Sequence, residues 1–296
     1  MAIEVIVAHP HGFCGDKNYG VMGAINLALK TKKENPKTYI LGKIVHNDWV
    51  VKALAAKDIP TVQRLTEVPQ GATVVIRAHG EPPETYQKLK ERGLNYKDGT
   101  CPMVKAAQRV VRELTKKGKT VVYVASKKDH EEAIGVVGQA ASPKLVILTT
   151  LKELENLKIT DPQNTTVVTQ TTLSIFETAE KLERLKKRYP GLRLAPHVCR
   201  ATTERQAAVA ELAKRVEVMV VVGSPESSNS QRLGEVAKRS SAGKIKVIMV
   251  DTASELKPED FKGVKKVGVT AGASTPEELL KEVIEKIKTF KTEAES

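Results

Sequence analysis

Three cysteines are the residues best suited to metal or redox chemistry, and they are the only cysteines in the 296-residue chain: Cys14, Cys101 and Cys199. Successive cysteines lie 87 and 98 residues apart, so no pair has the Cys-x-x-Cys spacing of a zinc finger or a redox dithiol. Three thiolates suit a zinc ion or three irons of a [4Fe–4S] cluster. Because there is no fourth cysteine, either site would keep one metal position open for a substrate.

Polar residues recur at similar distances after each cysteine. The first follows after 28 to 32 residues, as His46, His130 and Ser227. The second follows after 65 to 75 residues, as His79, Thr171 and Ser274. Each comes after a strand-like apolar run. The pattern therefore predicts polar loops at the carboxyl ends of strands, where open α/β sheets bind their ligands.

The polar loops carry groups that suit an anionic substrate. Neutral hydrogen-bond donors come from Ser227, Ser228, Asn229, Ser274 and Thr171. His46 and His79 add charge-assisted hydrogen bonds of the kind that bind phosphate. His130 and Glu132 form a candidate proton-transfer pair in the same set of loops. Together these groups predict a small phosphorylated substrate that is processed at the metal.

Strand-like and helix-like segments alternate along the whole chain, which is typical of an α/β protein with parallel sheets. The predicted strands are 3–7, 38–45, 73–78, 120–125, 145–149, 165–170, 218–223, 246–250 and 266–270. The repeated cysteines and polar loops indicate three similar α/β units. Their predicted boundaries are 14–98 for the first, 99–196 for the second and 197–284 for the third, with 1–13 adding a strand to the third and 285–296 forming a C-terminal tail.

The composition is that of a globular chain with a basic surface. Hydrophobic residues make up 41% and charged residues 28%, and the net charge is +13. No apolar run is long enough to cross a bilayer and no signal-peptide pattern is present, so we expect a cytoplasmic protein without a membrane partner. Aromatic residues make up only 4%, which leaves little to stack on bases, so we expect no nucleic-acid partner. We also expect a monomer.

The chain resembles the 4-hydroxy-3-methylbut-2-enyl diphosphate reductases, the iron–sulfur enzymes that end the methylerythritol phosphate route to isoprenoids. The matching stretches occur in the family's order and span nearly the whole chain. They are GFC (12–14), IVHNDWVV (44–51), AHG (78–80), GTCP (99–102), HEEAIGVVGQ (130–139), TQTTLS (169–174), CRATTERQ (199–206), GSPESSNSQRL (223–233) and GVTAGASTPE (268–277).

The resemblance implies a fold, a cofactor and a reaction. The three α/β units would form a pseudo-threefold trefoil around a central [4Fe–4S] cluster, with Cys14, Cys101 and Cys199 as iron ligands. The diphosphate would be bound by His46, His79, His130, Ser227, Ser228, Asn229 and Ser274. Glu132 would deliver protons and Thr171 would orient the substrate hydroxyl. The reaction would be a reductive dehydroxylation to isopentenyl and dimethylallyl diphosphate, with ferredoxin or flavodoxin as the electron donor.

The chain departs from the family pattern after its first cysteine. The family usually has one small residue between GFC and a Gly-Val pair, whereas GDKNY (15–19) precedes Gly20 and Val21 here. Arg77 and Arg200 also stand where a small residue and an aromatic residue are common. Two alternatives follow from the sequence. One is a divergent member that reduces another allylic or phosphorylated compound, and the other is a metal-stapled module whose basic surface binds RNA.

Overall fold

The computed structural model describes residues 2–290 of the chain. Within this range the chain forms twelve β-strands. In chain order they are β1 (Glu4–Val7), β2 (Thr38–Leu41), β3 (Thr61–Val62), β4 (Thr73–Ile76), β5 (Asn95–Asp98), β6 (Thr120–Ala125), β7 (Val146–Thr150), β8 (Thr165–Thr169), β9 (Arg193–Ala195), β10 (Val218–Val222), β11 (Lys246–Val250) and β12 (Lys266–Ala271).

The same range contains nine α-helices, which alternate with the strands. They are α1 (Gly20–Glu34), α2 (Asp48–Ala55), α3 (Pro83–Glu91), α4 (Pro102–Lys116), α5 (Glu131–Val137), α6 (Ile175–Arg188), α7 (Arg200–Leu212), α8 (Ser228–Ser240) and α9 (Glu277–Thr289). None of the helices within residues 2–290 is both long and apolar enough to span a bilayer.

The strands form three four-stranded sheets, and every neighbouring pair of strands is parallel. The strand orders are β3-β2-β4-β5, β7-β6-β8-β9 and β11-β10-β12-β1. The three sheets share one topology, in which the outer strand next to β4, β8 or β12 is the one that leads to a cysteine. The predicted α/β fold with parallel sheets is therefore confirmed. The predicted N-terminal strand is β1, which pairs with β12.

The inner strands are apolar on both faces because helices cover each sheet from both sides. In β10, Val220 and Val222 lie in a core with Val283 of α9. Their neighbours Met219 and Val221 face the opposite core, which α7 and α8 complete. Successive side chains of one strand point to opposite faces of the sheet and thus pack into two different cores. Each fully buried aliphatic side chain contributes about 1.5–3 kcal/mol of transfer free energy.

The chain divides into two compact units. One contains the residues up to Cys14, His46–Val50 and the residues from Arg200 onward. The other contains Gly15–Val45 and Val51–Cys199. The first unit carries the sheet with β10 and β12, and the second carries the other two sheets. The boundaries of three sequence units stay a prediction.

The C-terminal helix α9 extends to Thr289, into the segment predicted as a tail (285–296). Ile287 and Phe290 are buried in the core of the first unit, so this part of the segment belongs to the packed structure. Residues 291–296 of the predicted tail lie outside the described residues.

Candidate active site

The backbone of each cysteine is held by the neighbouring strand of its sheet. In every case the cysteine N–H donates to a carbonyl two residues past the end of β12, β4 or β8. The three hydrogen bonds are Cys14 to Ala273 (3.1 Å), Cys101 to Ala78 (3.0 Å) and Cys199 to Thr171 (3.0 Å). All three cysteines are half-buried thiols rather than disulfides. The threefold repetition seen in the sequence thus corresponds to one repeated backbone contact.

The position of the cysteine relative to the next helix differs in one of the three repeats. Cys101 and Cys199 directly precede the first residues of α4 and α7. A helix N-terminus favours a thiolate at such a position. Cys14 lies six residues before Gly20, the first residue of α1, because residues 15–19 intervene. A helix N-terminus therefore lies directly beside two of the three cysteines, and α1 follows Cys14 only after the 15–19 segment.

The first unit collects polar loop residues at the carboxyl ends of β10 and β12. Ser227 caps α8, where its Oγ accepts a hydrogen bond from the Ser230 N–H (3.3 Å). The Asn229 Oδ1 accepts from the Ala273 N–H (2.9 Å). The Ser274 hydroxyl donates to the carbonyl of His46 (3.2 Å). The side chains of Ser227, Asn229 and Ser274 are buried.

Asn229 has a buried donor that the protein leaves available. Its Nδ2 has no hydrogen-bond partner within residues 2–290, although its Oδ1 is fixed by Ala273. A buried donor without a partner costs about 1–3 kcal/mol, so such groups are kept where a ligand or water satisfies them. Gly272 keeps this region closely packed, because a Cβ there would overlap the Ser230 hydroxyl. The geometry suits the binding of a small anion.

The second unit contains a buried carboxyl group with three donors. The Thr171 N–H donates to Glu132 Oε1 (2.8 Å) and the Thr171 hydroxyl donates to Oε2 (2.6 Å). The Tyr123 hydroxyl donates to Oε1 (3.3 Å). Glu132 is only 1% exposed. Burial raises the pKa of Glu132 above the ordinary carboxyl value, against the hydrogen bonds from Thr171 and Tyr123, which act in the opposite direction.

His130 orders the helix that carries Glu132. It is the N-terminal cap of α5, and its Nδ1 accepts from the Glu132 N–H (3.1 Å). An accepting Nδ1 carries no proton, so the neutral ring has its N–H at Nε2. The His79 ring lies edge-on to His130, with 5.7 Å between the ring centroids. The rings of His79 and His130 are therefore in contact, and His130 lies two residues before the buried Glu132 in the sequence.

Arg77 links the His79 loop to α5. Its Nε donates to Glu81 (2.9 Å), and its Nη1 lies 3.3 Å from the Glu131 carboxylate. The side chain of Arg77 is 16% exposed. The ion pair between Arg77 and Glu131 therefore connects the loop of His79 to α5, which carries Glu132.

Comparison with known proteins decides the family. The model of the family described as LytB protein matches residues 5–288. The chain belongs to the LytB family. Its relatives include the 4-hydroxy-3-methylbut-2-enyl diphosphate reductase of Neisseria gonorrhoeae, 41% identical over 288 residues that cover 96% of this chain and 87% of the relative. The enzyme of that name from Haemophilus influenzae is 37% identical, with 97% and 91% of the two chains covered.

Solved structures agree with the LytB assignment. The E-1-hydroxy-2-methyl-but-2-enyl-4-diphosphate reductase from Plasmodium falciparum superposes with a TM-score of 0.87 at 29% identity, covering 96% of this chain and 88% of that one. A second structure, described as the terminal enzyme of the non-mevalonate pathway, has a TM-score of 0.66 at 34% identity and covers 97% and 99%.

Tyr123 is the residue of this LytB site that sequence reasoning missed. It lies in the middle of β6, whose sequence TVVYVA reads as an ordinary buried strand. One signal was present: a tyrosine within a fully buried strand needs a partner for its hydroxyl. Burial, together with the adjacent Glu132, raises the pKa of Tyr123 well above its ordinary value of 10.0, so its hydroxyl stays a neutral donor.

Proposed function

We propose that this LytB chain catalyses the reductive dehydroxylation of 4-hydroxy-3-methylbut-2-enyl diphosphate, the last step of the methylerythritol phosphate pathway. The substrate takes up two electrons and two protons and loses its hydroxyl group as water. The products are isopentenyl and dimethylallyl diphosphate. The observation that carries the proposal is the buried Glu132 carboxyl bound by both donors of Thr171, in a chain 41% identical to a reductase of that name.

The cysteines fit a [4Fe–4S] cluster that keeps one iron without a protein ligand. The support is a donor set of three half-buried thiols, each with its backbone N–H fixed at a strand end. Thiolate is the ligand that such clusters take. We therefore assign Cys14, Cys101 and Cys199 as the iron ligands. When bound, the cluster supplies one-electron transfer and Lewis acidity at the iron that has no cysteine.

The diphosphate is bound, in this proposal, by neutral and histidine donors. The assigned residues are His46, His79, His130, Ser227, Ser228, Asn229 and Ser274. The buried Asn229 Nδ2 supports the assignment because it offers a hydrogen bond that no residue within 2–290 accepts. His130 supports it in a second way, because the proton on its Nε2 faces away from the helix that its Nδ1 caps.

Glu132 is the proton donor in this account. Burial raises its pKa, so the carboxyl group keeps its proton to a higher pH than an exposed glutamate does. The Thr171 hydroxyl lies 2.6 Å from Oε2 and is both a donor and an acceptor. It can therefore receive a proton from Glu132 while it passes its own to the leaving hydroxyl group. Tyr123 holds the opposite oxygen and keeps the carboxyl group in one orientation.

An anaerobic assay tests the function directly. The protein is reconstituted with iron and sulfide, and the oxidation of reduced methyl viologen is followed after the substrate is added. We expect two viologen radicals to be consumed per substrate and both diphosphate products to appear by mass spectrometry. Cys101→Ser should lose this oxidation. A reconstituted protein that binds iron but ignores this substrate would support the divergent substrate alternative instead.

A further inference from the structure

A cavity of about 540 Å³ opens beside the chain that flanks Cys101. It lies in the second unit, between α1, residues 17–19 and the loop that leads into α4. Its walls include Lys17, Tyr19, Lys30, Thr100, Pro102 and Lys105. Thr100 and Pro102 are the two sequence neighbours of Cys101, so the cavity passes beside the backbone of an assigned cluster ligand. We call this cavity and its rim the α1–α4 groove.

The rim of the α1–α4 groove is basic. Lys17, Lys30 and Lys105 line it together with a single carboxylate, Asp98. Lys105 pairs with Asp98 (2.7 Å), and Lys30 lies 3.9 Å from Glu34. Lys17 forms no ion pair within residues 2–290. The rim therefore keeps a net positive charge after its internal ion pairs are counted.

The basic rim continues along α4. Lys105, Arg109, Arg112 and Lys116 are spaced by four, three and four residues, which aligns them on one helix face. All four are exposed, and Glu113 is the one acidic residue of α4. A stripe of this kind extends over about 16 Å, given the 1.5 Å rise per helical residue.

Large apolar side chains are exposed on the same elements. Tyr19 is 48% exposed, Met22 of α1 is 38% exposed and Met103 of α4 is 39% exposed. Of the three, Tyr19 lines the groove, and Met22 and Met103 lie on the two helices that border it. Exposed aromatic and methionine side chains beside basic residues are typical of surfaces that bind another protein. A small anion would need no such apolar contact.

We propose that the α1–α4 groove is the docking surface for a small acidic electron-carrier protein. The inference rests on the proposed function, which needs two electrons per substrate from outside the chain. Each encounter transfers one electron, which oxidises the carrier, so two encounters serve one substrate. Charge complementarity accelerates such encounters and orients the partner. The contact at Thr100 and Pro102 brings the carrier next to Cys101, where the electron must arrive.

Residues 17–19, the second part of the 15–19 segment, line the edge of this surface, and hydrogen bonds hold the segment in place. The Asn18 N–H donates to Asp16 Oδ1 (2.7 Å), and the Gly23 N–H donates to the Tyr19 carbonyl (3.0 Å). Gly23 is needed here because a Cβ would lie 2.6 Å from the Asn18 carbonyl carbon. The segment by which this chain departs from the family pattern thus presents Lys17 and Tyr19 at the docking surface.

Charge reversal in the groove tests the proposal. The variant Lys17→Glu/Lys30→Glu is compared with the reconstituted wild-type protein in binding an acidic [2Fe–2S] ferredoxin, measured by calorimetry at low salt. We expect the Kd to rise about tenfold or more, with a smaller difference at high salt where the charges are screened. The matched control Lys144→Glu/Lys244→Glu makes the same charge change at exposed positions outside the groove and should bind within about twofold of wild type.

Oxidation of reduced methyl viologen separates the two proposals, because this small dye needs no docking surface. The groove variant should keep the viologen rate of wild type, which also shows that it folds. An unchanged Kd for ferredoxin in that variant would overturn the docking proposal. The docking proposal would also be overturned if a single-stranded RNA bound the wild-type protein more tightly than ferredoxin does and that RNA binding were lost in the same variant. If the wild-type protein did not oxidise reduced methyl viologen in the presence of substrate, the proposed function would be overturned. The Kd for ferredoxin could still be interpreted in that case.

Discussion

Thr171 binds both oxygens of the Glu132 carboxyl group, although the two residues are 39 positions apart in the sequence. Its N–H donates to Oε1 (2.8 Å) and its hydroxyl donates to Oε2 (2.6 Å). The carbonyl of the same residue accepts the backbone N–H of Cys199 (3.0 Å). One residue therefore connects the assigned proton donor to an assigned cluster ligand.

Removal of the Thr171 hydroxyl should impair proton delivery. Thr171→Val keeps the shape and the N–H donor but removes the hydroxyl that Glu132 contacts. Because that hydrogen bond lowers the pKa of Glu132, its loss raises the pKa further and leaves the proton without a relay. We expect kcat to fall about tenfold to a hundredfold in the viologen assay. Thr171→Ser keeps the hydroxyl and should stay within about threefold of wild type. Equal rates for the two variants would exclude a role for the hydroxyl.

Tyr123→Phe should shift the pH dependence of turnover without abolishing it. The tyrosine hydroxyl stabilises the charged form of Glu132, so its removal raises the pKa of that carboxyl. The alkaline limb of the kcat profile, where the acid loses its proton, should therefore move to higher pH. The plateau should change by less than about tenfold. A limb that stays in place or moves to lower pH would show that Tyr123 does not act on Glu132.

The Glu132 side chain should lower the stability of the folded protein at neutral pH. Its folded-state pKa is raised, so the stability that it contributes is present below the ordinary carboxyl pKa of 4.5 and is lost as pH rises through the folded-state pKa. Glutamine does not titrate. We expect the Tm of Glu132→Gln minus that of wild type to increase as pH rises above 4.5, and then to level off. A difference that does not change with pH would contradict a raised pKa.

Asn229→Asp should weaken diphosphate binding while preserving the loop. An aspartate oxygen still accepts the Ala273 N–H, but the Nδ2 donor becomes a negative oxygen that faces the anion. We expect KM to rise about a hundredfold or more, with a smaller change in kcat. Asn156→Asp makes the same charge change at an exposed position and serves as the control. Similar KM values for the two variants would remove Asn229 from the diphosphate site.

Much of the fold follows from local sequence patterns. All nine predicted strands are present. Six of them are inner strands with apolar runs, namely β2, β4, β6, β8, β10 and β12. The other three, β1, β7 and β11, lie at sheet edges but carry apolar runs of their own. The strands that were missed are β3, β5 and β9, which lie at sheet edges. β5 reads NYKD and β3 has two residues, so neither has the periodicity that identifies a strand. Their pairing depends on the strand beside them.

The site was predictable in its residue types and less so in its contacts. The spacing of polar loops identified Glu132 and Thr171 as members of one set, because strand ends meet at one edge of a sheet. It did not give the two hydrogen bonds between them, which require β6 and β8 to be neighbours. Tyr123 was hidden because an inward-facing tyrosine and an inward-facing valine fit the same strand pattern.

Turnover of Glu132→Gln at matched iron content tests the central claim most directly. Both proteins are reconstituted anaerobically, their iron is quantified, and viologen oxidation is measured with 4-hydroxy-3-methylbut-2-enyl diphosphate. Glu131→Gln, which changes the adjacent carboxylate that faces Arg77, is the matched control. We expect Glu132→Gln to hold the iron of wild type while its rate falls at least about a hundredfold, and Glu131→Gln to keep most of its rate. Full activity in Glu132→Gln would contradict the account.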